Sequence, residues 1–318
     1  MESKISLAPI QGITDYHFRN TFQRYFDGVD FFYSPYLRLD NDKQLKRPKV
    51  KDILPENNVG VHLVPQIMAN SADEFLHLSS YLADLGYKKL NWNLGCPFPM
   101  VTNRELGSGL LPHYNKINDI LEEVIPGLKT LLSVKMRIGL DNTDDIFNIL
   151  PVLNKFPIDE VIIHPRTGKQ MYKGEIHTDI FEKCLSLSNH SISYNGDINT
   201  LDDYIKLNDK FKTLNSFMIG RGLVANPFLA EQIKQIDKNP SKSKIERFKE
   251  FHAALTDEYV NALSGPSHLI SRMTAFWEYF SRSFSNSHKV FKRIKKATSI
   301  NKYWAAVEVN CKEESWIA

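Results

Sequence analysis

In the run Leu90-Asn91-Trp92-Asn93-Leu94-Gly95-Cys96-Pro97, a short apolar segment ends in an amide, a glycine frees the backbone, a cysteine follows and a proline sets the next turn. That layout puts one thiol on a loop at a strand tip, within reach of a substrate. Such a thiol can serve as nucleophile, redox switch or proton donor. A nucleophilic cysteine needs a paired base, for which His164 is a candidate. With an ordinary pKa of about 8.5, a thiol is mostly protonated at neutral pH, which suits a general acid. Cys184 and Cys311 fall in helix-like surroundings and are expected to be packing residues.

Further chemistry gathers at the ends of other apolar runs. Gln66 offers an amide donor and acceptor, Lys135 a cation and His164 a second donor. Together they can hydrogen-bond the nitrogen and oxygen atoms of a flavin ring, with Lys135 stabilising negative charge on its reduced form. Pro9 and Gly12 can close on the ring's edge or face. Asn195-Gly196-Asp197 and Gly220-Arg221-Gly222 end the last two runs. Glycine lets backbone N–H groups approach an anion, and Arg221 adds a charged donor, so the pair reads as a phosphate site, with two ordinary turns as the alternative. No Gly-x-Gly-x-x-Gly follows a strand, so a nicotinamide donor would visit the site and not reside in a dinucleotide-binding domain. His113, His164 and His177 are too scattered for a metal site, and none is expected.

The elements that must position these groups alternate. Strands are expected at residues 5–8, 30–34, 61–67, 89–93, 132–137, 160–164, 191–195 and 216–219. Helix-like stretches fall at 16–25, 71–85, 117–128, 143–153, 178–186 and 201–207. The connection 36–58 is polar and basic with little helical pattern. Eight strands with mostly helical crossovers predict an α/β protein, a (β/α)8 TIM barrel and not a doubly wound sheet, and the run Val161-Ile162-Ile163 fits a strand buried on both faces. In a barrel, every strand end above meets at the C-terminal face.

After residue 237 the strand pattern stops. Helical spacing links Ile245, Phe248, Leu255 and Tyr259, then Leu269, Met273, Phe276 and Phe280. Val290, Phe291 and Ile294 mark a short basic helix that carries Lys292 and Arg293. The expected division is a catalytic barrel, 1–237, and a small C-terminal helical bundle, 238–318. Those last residues hold fourteen Lys and Arg against eight Asp and Glu, although the whole chain of 318 residues has a net charge of only +3. The imbalance suggests an anionic partner for the bundle or, more blandly, a solvated helix face. No apolar run approaches the roughly 20 residues that span a bilayer, so no membrane association is expected. Three widely spaced cysteines and no signal-peptide pattern point to a reducing cytoplasm.

The motifs Leu7-Ala8-Pro9-Ile10-Gln11-Gly12, Asn93-Leu94-Gly95-Cys96-Pro97, Gly107-Ser108-Gly109-Leu110-Leu111, Val134-Lys135-Met136-Arg137, His164-Pro165-Arg166-Thr167, Asn195-Gly196-Asp197-Ile198 and Gly220-Arg221-Gly222 resemble, in order, those of the tRNA-dihydrouridine synthases. The resemblance implies an FMN-dependent oxidoreductase, recharged by NADPH, that reduces the C5=C6 bond of a uridine in the tRNA D-loop. It implies hydride to C6 from the flavin and a proton to C5 from Cys96. It assigns FMN contacts to Pro9, Ile10, Gln66, Lys135, His164, Asn195, Asp197, Gly220 and Arg221. Asn93, Arg137 and Arg166 would face the uracil or nearby phosphates, and Lys292 and Arg293 would grip tRNA. The Tyr36-Leu37-Arg38 loop and Ser271-Arg272-Met273 look most like the enzymes acting on position 16, so Tyr36, Arg38 and Arg272 are candidate tRNA contacts. No stable protein partner is implied, and a monomer is expected. Two features depart from the family pattern near the substrate entrance: Pro35 replaces a usual acidic residue, and Pro97-Phe98-Pro99-Met100 replaces a more polar stretch.

Other classes remain open at this point. An FMN barrel acting on a small pyrimidine-like molecule would share the flavin residues without needing a basic bundle. A non-redox barrel could use Lys135 as a Schiff base. A catalytically silent RNA-binding module would need neither.

Overall fold

A computed structural model describes residues 3–40, 42 and 44–318. Met1 and Glu2, with which the expected barrel domain begins, lie outside the described residues. The strands are β1 (Lys4–Leu7), β2 (Phe31–Tyr33), β3 (Leu63–Val64), β4 (Gln66–Ile67), β5 (Lys89–Leu94), β6 (Leu131–Gly139), β7 (Ile158–Thr167), β8 (Ser191–Asn195) and β9 (Ser216–Ile219). All pair in parallel, in the order β3-β2-β1-β9-β8-β7-β6-β5-β4. The two ends of that order are one stretch of chain, broken only at Pro65, so the sheet closes into the eight-stranded barrel expected. Pro65 has no N–H to give the ladder, which divides the expected 61–67 strand in two. Its carbonyl still accepts from Asn91 N at 2.9 Å.

Helices wrap the barrel with one apolar face inward. Ala72–Asp84 buries Ala72, Phe75, Leu78 and Leu82, and its N-cap Ser71 accepts from Glu74 N. The 36–58 connection contains a helix that the pattern did not show, Arg47–Ile53. Seven residues burying only Asp52 and Ile53 leave almost no periodic signal. A long-range contact holds it: buried Arg19 pairs with Asp52 at 3.2 Å and donates to Asn58 Oδ1 at 2.9 Å.

Strand alternation sends Asn91, Asn93, Lys135, Arg137, His164 and Arg166 to the barrel interior side, opposite Trp92, Val134, Met136 and Ile163. Register then makes neighbours. Gln66 lies beside Asn91, Asn93 beside Lys135, and Arg137 beside His164. β6 and β7 run further than the expected 132–137 and 160–164, which lifts Arg137 and Arg166 to the mouth on rigid strand.

The opposite end of the barrel is closed by Glu160. It accepts from Lys4 at 3.2 Å, Lys89 at 2.9 Å, Tyr33 at 3.2 Å, Ser193 at 2.6 Å and Ser216 at 3.2 Å. Burial alone would raise its pKa, but Lys89 and Lys4 outweigh that and hold it at about 2.

The C-terminal helices are Lys244–Ala262, Pro266–Phe280, Ser287–Lys295 and Ile300–Glu313. The first two dock on the first barrel helix, Tyr16–Tyr25, through an aromatic seam. Phe18 stacks on Phe276 with ring centres 5.5 Å apart, and Phe26 meets both Phe251 and Phe228 edge-on at 5.0 Å. Buried Arg247 ties the seam to Glu231 at 2.7 Å and to Asp237 at 2.8 Å.

Removing the Glu160 carboxylate strips Lys4 of its ion-pair partner and leaves Lys89 with Asp159 alone, at 2.7 Å. Glu160→Ala is therefore expected to cost about 3–5 kcal/mol. Its folded pKa lies below the ordinary 4.5, so its stabilisation is complete above that value and fades as pH falls towards about 2. Thermal melts between pH 5 and pH 3 check this. The native chain should lose stability more steeply than Glu160→Gln, and parallel slopes would contradict the assignment.

Candidate active site

Asn93 builds the loop that carries the thiol. Its Oδ1 accepts from Gly95 N at 3.0 Å and Cys96 N at 2.9 Å, while its Nδ2 donates to Gln66 Oε1 at 2.6 Å. Gln66 Nε2 donates in turn to Asn91 Oδ1 at 2.7 Å, and Asn91 Nδ2 to Ser133 Oγ at 2.9 Å. A chain of buried amides across β4, β5 and β6 thus sets where Cys96 stands.

From the other side, Ser108 clamps the cysteine. Its N and its Oγ each reach the Cys96 carbonyl at 3.0 Å. The approach requires Gly107, whose φ is 56°; a Cβ there would stand 2.7 Å from the Cys96 oxygen and 2.8 Å from its Cβ. The expectation of an open thiol needs correcting. Cys96 is only 9% exposed, packed with Met68, Val101 and Leu106 under Tyr36. Burial raises its pKa, opposed by the Phe98 N–H and by Arg137, Lys135 and Arg38. The group is therefore a thiol at neutral pH whose thiolate, once formed, faces cations.

Those cations crowd the mouth. Arg137 donates to Gly95 O at 3.2 Å and Thr167 O at 2.6 Å, and burial brings its pKa down to about 10. Arg166 holds Gly174 O at 3.0 Å and Asp197 at 2.8 Å. Arg221 takes the other oxygen of Asp197 at 2.6 Å. Burial pushes the Asp197 pKa up, but these two arginines outweigh it and leave it lowered. His164 is held well below 6.5 by burial and then by Arg137, Lys135, Arg166 and Arg221, so its ring is neutral. The Lys135 side chain makes no hydrogen bond or ion pair with any described residue. Burial, then Arg137, drives its pKa down to about 7.

The structure brings Cys96, Gln66, Asn93, Lys135, Arg137, His164, Arg166, Asp197 and Arg221 into one neighbourhood. Asn195 lies beside them, donating to Met218 O at 2.8 Å. Gly220 faces Ala8 and Ile10, with space for a Cβ only 3.3 Å from Ala8 Cβ. Pro9 and Ile10 lie partly exposed in the loop after β1, where Thr14 Oγ1 caps Ile10 N at 2.8 Å. Arg272 reaches that loop from the helical part, donating to Gly12 O and lying 5.1 Å over the Tyr259 ring. Lys292 and Arg293 sit apart, on a helix packed against the other C-terminal helices. Lys292 is exposed, whereas Arg293 is engaged by Glu313 and by Asn310 at 3.2 Å. Cys184 is fully buried, in keeping with packing.

Residue-level reading missed Tyr172. Its ring lies between Arg221 at 4.7 Å and Arg137 at 5.5 Å, and it is 45% exposed. The only available signal was an aromatic in the loop after β7, which alone says little. Gly107 and Ser108 entered the sequence reading only as part of a family motif, and their clamp on Cys96 was not foreseen.

The molecule is thus a closed parallel barrel that gathers a protonated thiol, a lysine side chain with no partner among the described residues and three arginines at its C-terminal mouth. Solved structures agree on the fold alone. Histamine dehydrogenase from Rhizobium sp. 4-9 matches with a TM-score of 0.54 at 8% identity, covering 81% of this chain and 48% of that one. Morphinone reductase matches with a TM-score of 0.50 at 9% identity, covering 73% and 86%. The family model for dihydrouridine synthase (Dus) matches residues 6–313. Among curated relatives, a probable tRNA-dihydrouridine synthase 2 of Bacillus subtilis (strain 168) is 27% identical over 293 residues, 89% of this chain and 86% of the relative. A tRNA-dihydrouridine(16) synthase of Neisseria meningitidis serogroup B is 26% identical over 312 residues, covering 92% and 90%. The chain belongs to the dihydrouridine synthase family and is an oxidoreductase.

Cys96 is expected to react with iodoacetamide roughly tenfold or more slowly than an exposed cysteine thiol. Gly107→Ala, which must displace the clamp, should speed that labelling. Equal rates in the native chain and the variant would contradict the packing described.

Proposed function

We propose that this protein is a tRNA-dihydrouridine synthase that holds FMN, is recharged by NADPH and reduces the C5=C6 bond of a D-loop uridine. The carrying observation is a buried, protonated Cys96 beside an unpaired Lys135 at a barrel mouth. The mouth fits the flavin on physical grounds. Lys135, Arg137, Arg166 and Arg221 outnumber Asp197, so the site favours an anion. Pro9, Ile10, Gln66, Lys135, His164, Asn195, Asp197, Gly220 and Arg221 would hold the group, with its phosphate towards the loops after β8 and β9. When bound, FMN supplies hydride chemistry at C6 of the uracil.

The chain's own task is the proton. Negative charge arriving on the uracil collects at C5 and the C4 carbonyl, where a positioned acid must meet it. Cys96 Sγ gives its proton to C5. The thiolate left behind faces Arg137, Lys135, Arg38 and the Phe98 N–H, the groups that already favour its charged form. Asn93 fixes the thiol's position through the Gly95 and Cys96 amides. Reaching this mouth requires the uridine to leave its stack.

In this reading residues 1–237 perform the chemistry, and residues 238–318, with Arg272 and Lys292, grip tRNA phosphates. Arg293, Tyr36 and Arg38 extend that surface. The name of the Neisseria relative and the position of Arg272 at the rim favour position 16. The protein would act as a monomer in the cytoplasm. No helix among the described residues is long and apolar enough to cross a membrane.

Cys96→Ala is expected to retain FMN and tRNA binding while product formation falls about 10²–10⁴-fold. An undiminished rate on natural tRNA would refute the acid role. Lys135 gives a second test. An anionic ligand favours its charged form, so FMN affinity should weaken as pH rises through about 7. Flavin fluorescence titrations should show this slope, and Lys135→Met should flatten it. A slope unchanged by the substitution would assign it elsewhere.

A further inference from the structure

A cleft of about 190 Å³ opens beside the thiol, lined by Tyr36, Arg38, Lys46, Lys49, Met100 and Val101, with Gln11, Leu39 and Asp40 at its edge. Tyr36 and Val101 also pack around Cys96, so one layer of side chains divides the cleft from the reacting sulfur. The cleft is charged in an uncompensated way. The side chains of Arg38, Lys46 and Lys49 make no hydrogen bond or ion pair with any described residue, and Lys49 Nζ lies 5.5 Å over the Tyr36 ring. Asp40, the acid in the lining, spends its Oδ1 on Asp42 N and Gln44 N, both at 3.0 Å, which shapes its own loop. Burial lowers the pKa of Lys49, and the nearby Asp52 carboxylate offsets this only in part. Met100, 79% exposed, and Val101 give the lining an apolar part beside Tyr36. A solvent-facing methionine next to three unpaired cations gains nothing for the fold.

We infer that this cleft is a second nucleotide subsite, in which Arg38, Lys46 and Lys49 take the phosphodiester next to the reduced uridine and the Tyr36–Met100 wall takes the adjoining base. The inference rests on the function proposed above. Because Tyr36 both packs by Cys96 and lines the cleft, a strand whose uracil presents C5 to Cys96 would bring its neighbouring phosphate to the cleft. The cations supply attraction without sequence information, and the methionine and tyrosine supply a face that accepts any base. Helix Arg47–Ile53, anchored by the Arg19–Asp52 pair, holds Lys49 in place. The Pro97-Phe98-Pro99-Met100 departure then has a purpose, because it delivers the apolar wall.

The test measures tRNA affinity over a range of salt concentrations for the full chain loaded with FMN, alongside dihydrouridine formation. Lys46→Gln/Lys49→Gln should reduce the salt slope by about one and raise KM far more than it changes kcat. Met100→Ser should weaken binding by about fivefold without altering the slope. Lys129→Gln/Lys212→Gln, two exposed cations in loops at the other end of the barrel, should alter neither. Salt slopes for the cleft variant that match this control, in a protein that forms dihydrouridine, overturn the subsite alone. A native protein that forms none from tRNA overturns the reading on which it rests.

Discussion

The Lys135 side chain stands at the mouth of a closed barrel with no partner among the described residues, and the rest of the site is arranged around that imbalance. Arg137, Arg166 and Arg221 add three more cations, against the single carboxylate of Asp197. A protein keeps such a cluster only where an anion completes it or where negative charge develops during a reaction. The same field depresses the pKa of His164, keeping it neutral, and opposes the rise that burial imposes on Cys96. In the proposed reading, one electrostatic feature would prepare an anion site, a neutral imidazole and an acid whose conjugate base is accommodated in advance.

The scaffold has to hold these like charges together, and it does so by covalent and amide geometry. Closing the sheet across Pro65 brings Gln66 beside Asn91, and the amide chain from Ser133 to Cys96 converts strand register into a thiol position. Glu160 balances Lys4 and Lys89 at the far end, so that end is electrostatically closed while the mouth is not. The asymmetry matches the usual division of such barrels into a stabilising face and a reactive one.

Much of this was legible in the sequence because the chemistry sits at the ends of apolar runs, where a polar residue is conspicuous. Gln66, Lys135 and His164 stood out that way, roles for Arg137 and Asp197 came with the family resemblance, and the barrel followed from the alternation of elements. What escaped depended on long-range contacts. The Glu160 plug draws Lys4 and Lys89 from distant strands, and Arg47–Ile53 is held by Arg19 more than by its own periodicity. The last helix, Ile300–Glu313, buries only Tyr303, Val307 and Asn310, too thin a stripe to register. The thiol was located correctly, but its burial was not legible, because Val101, Leu106 and Tyr36 reach it from separate loops.

The account is tested most directly by mapping dihydrouridine in tRNA. Purified protein, FMN and NADPH would be incubated with tRNA from cells lacking this activity, and the digested tRNA analysed by mass spectrometry. The account predicts that a single D-loop uridine gains two hydrogens, and that the gain disappears when Cys96 is alanine. Unmodified tRNA with a flavin-loaded native protein, or equal modification by the alanine variant, would contradict it.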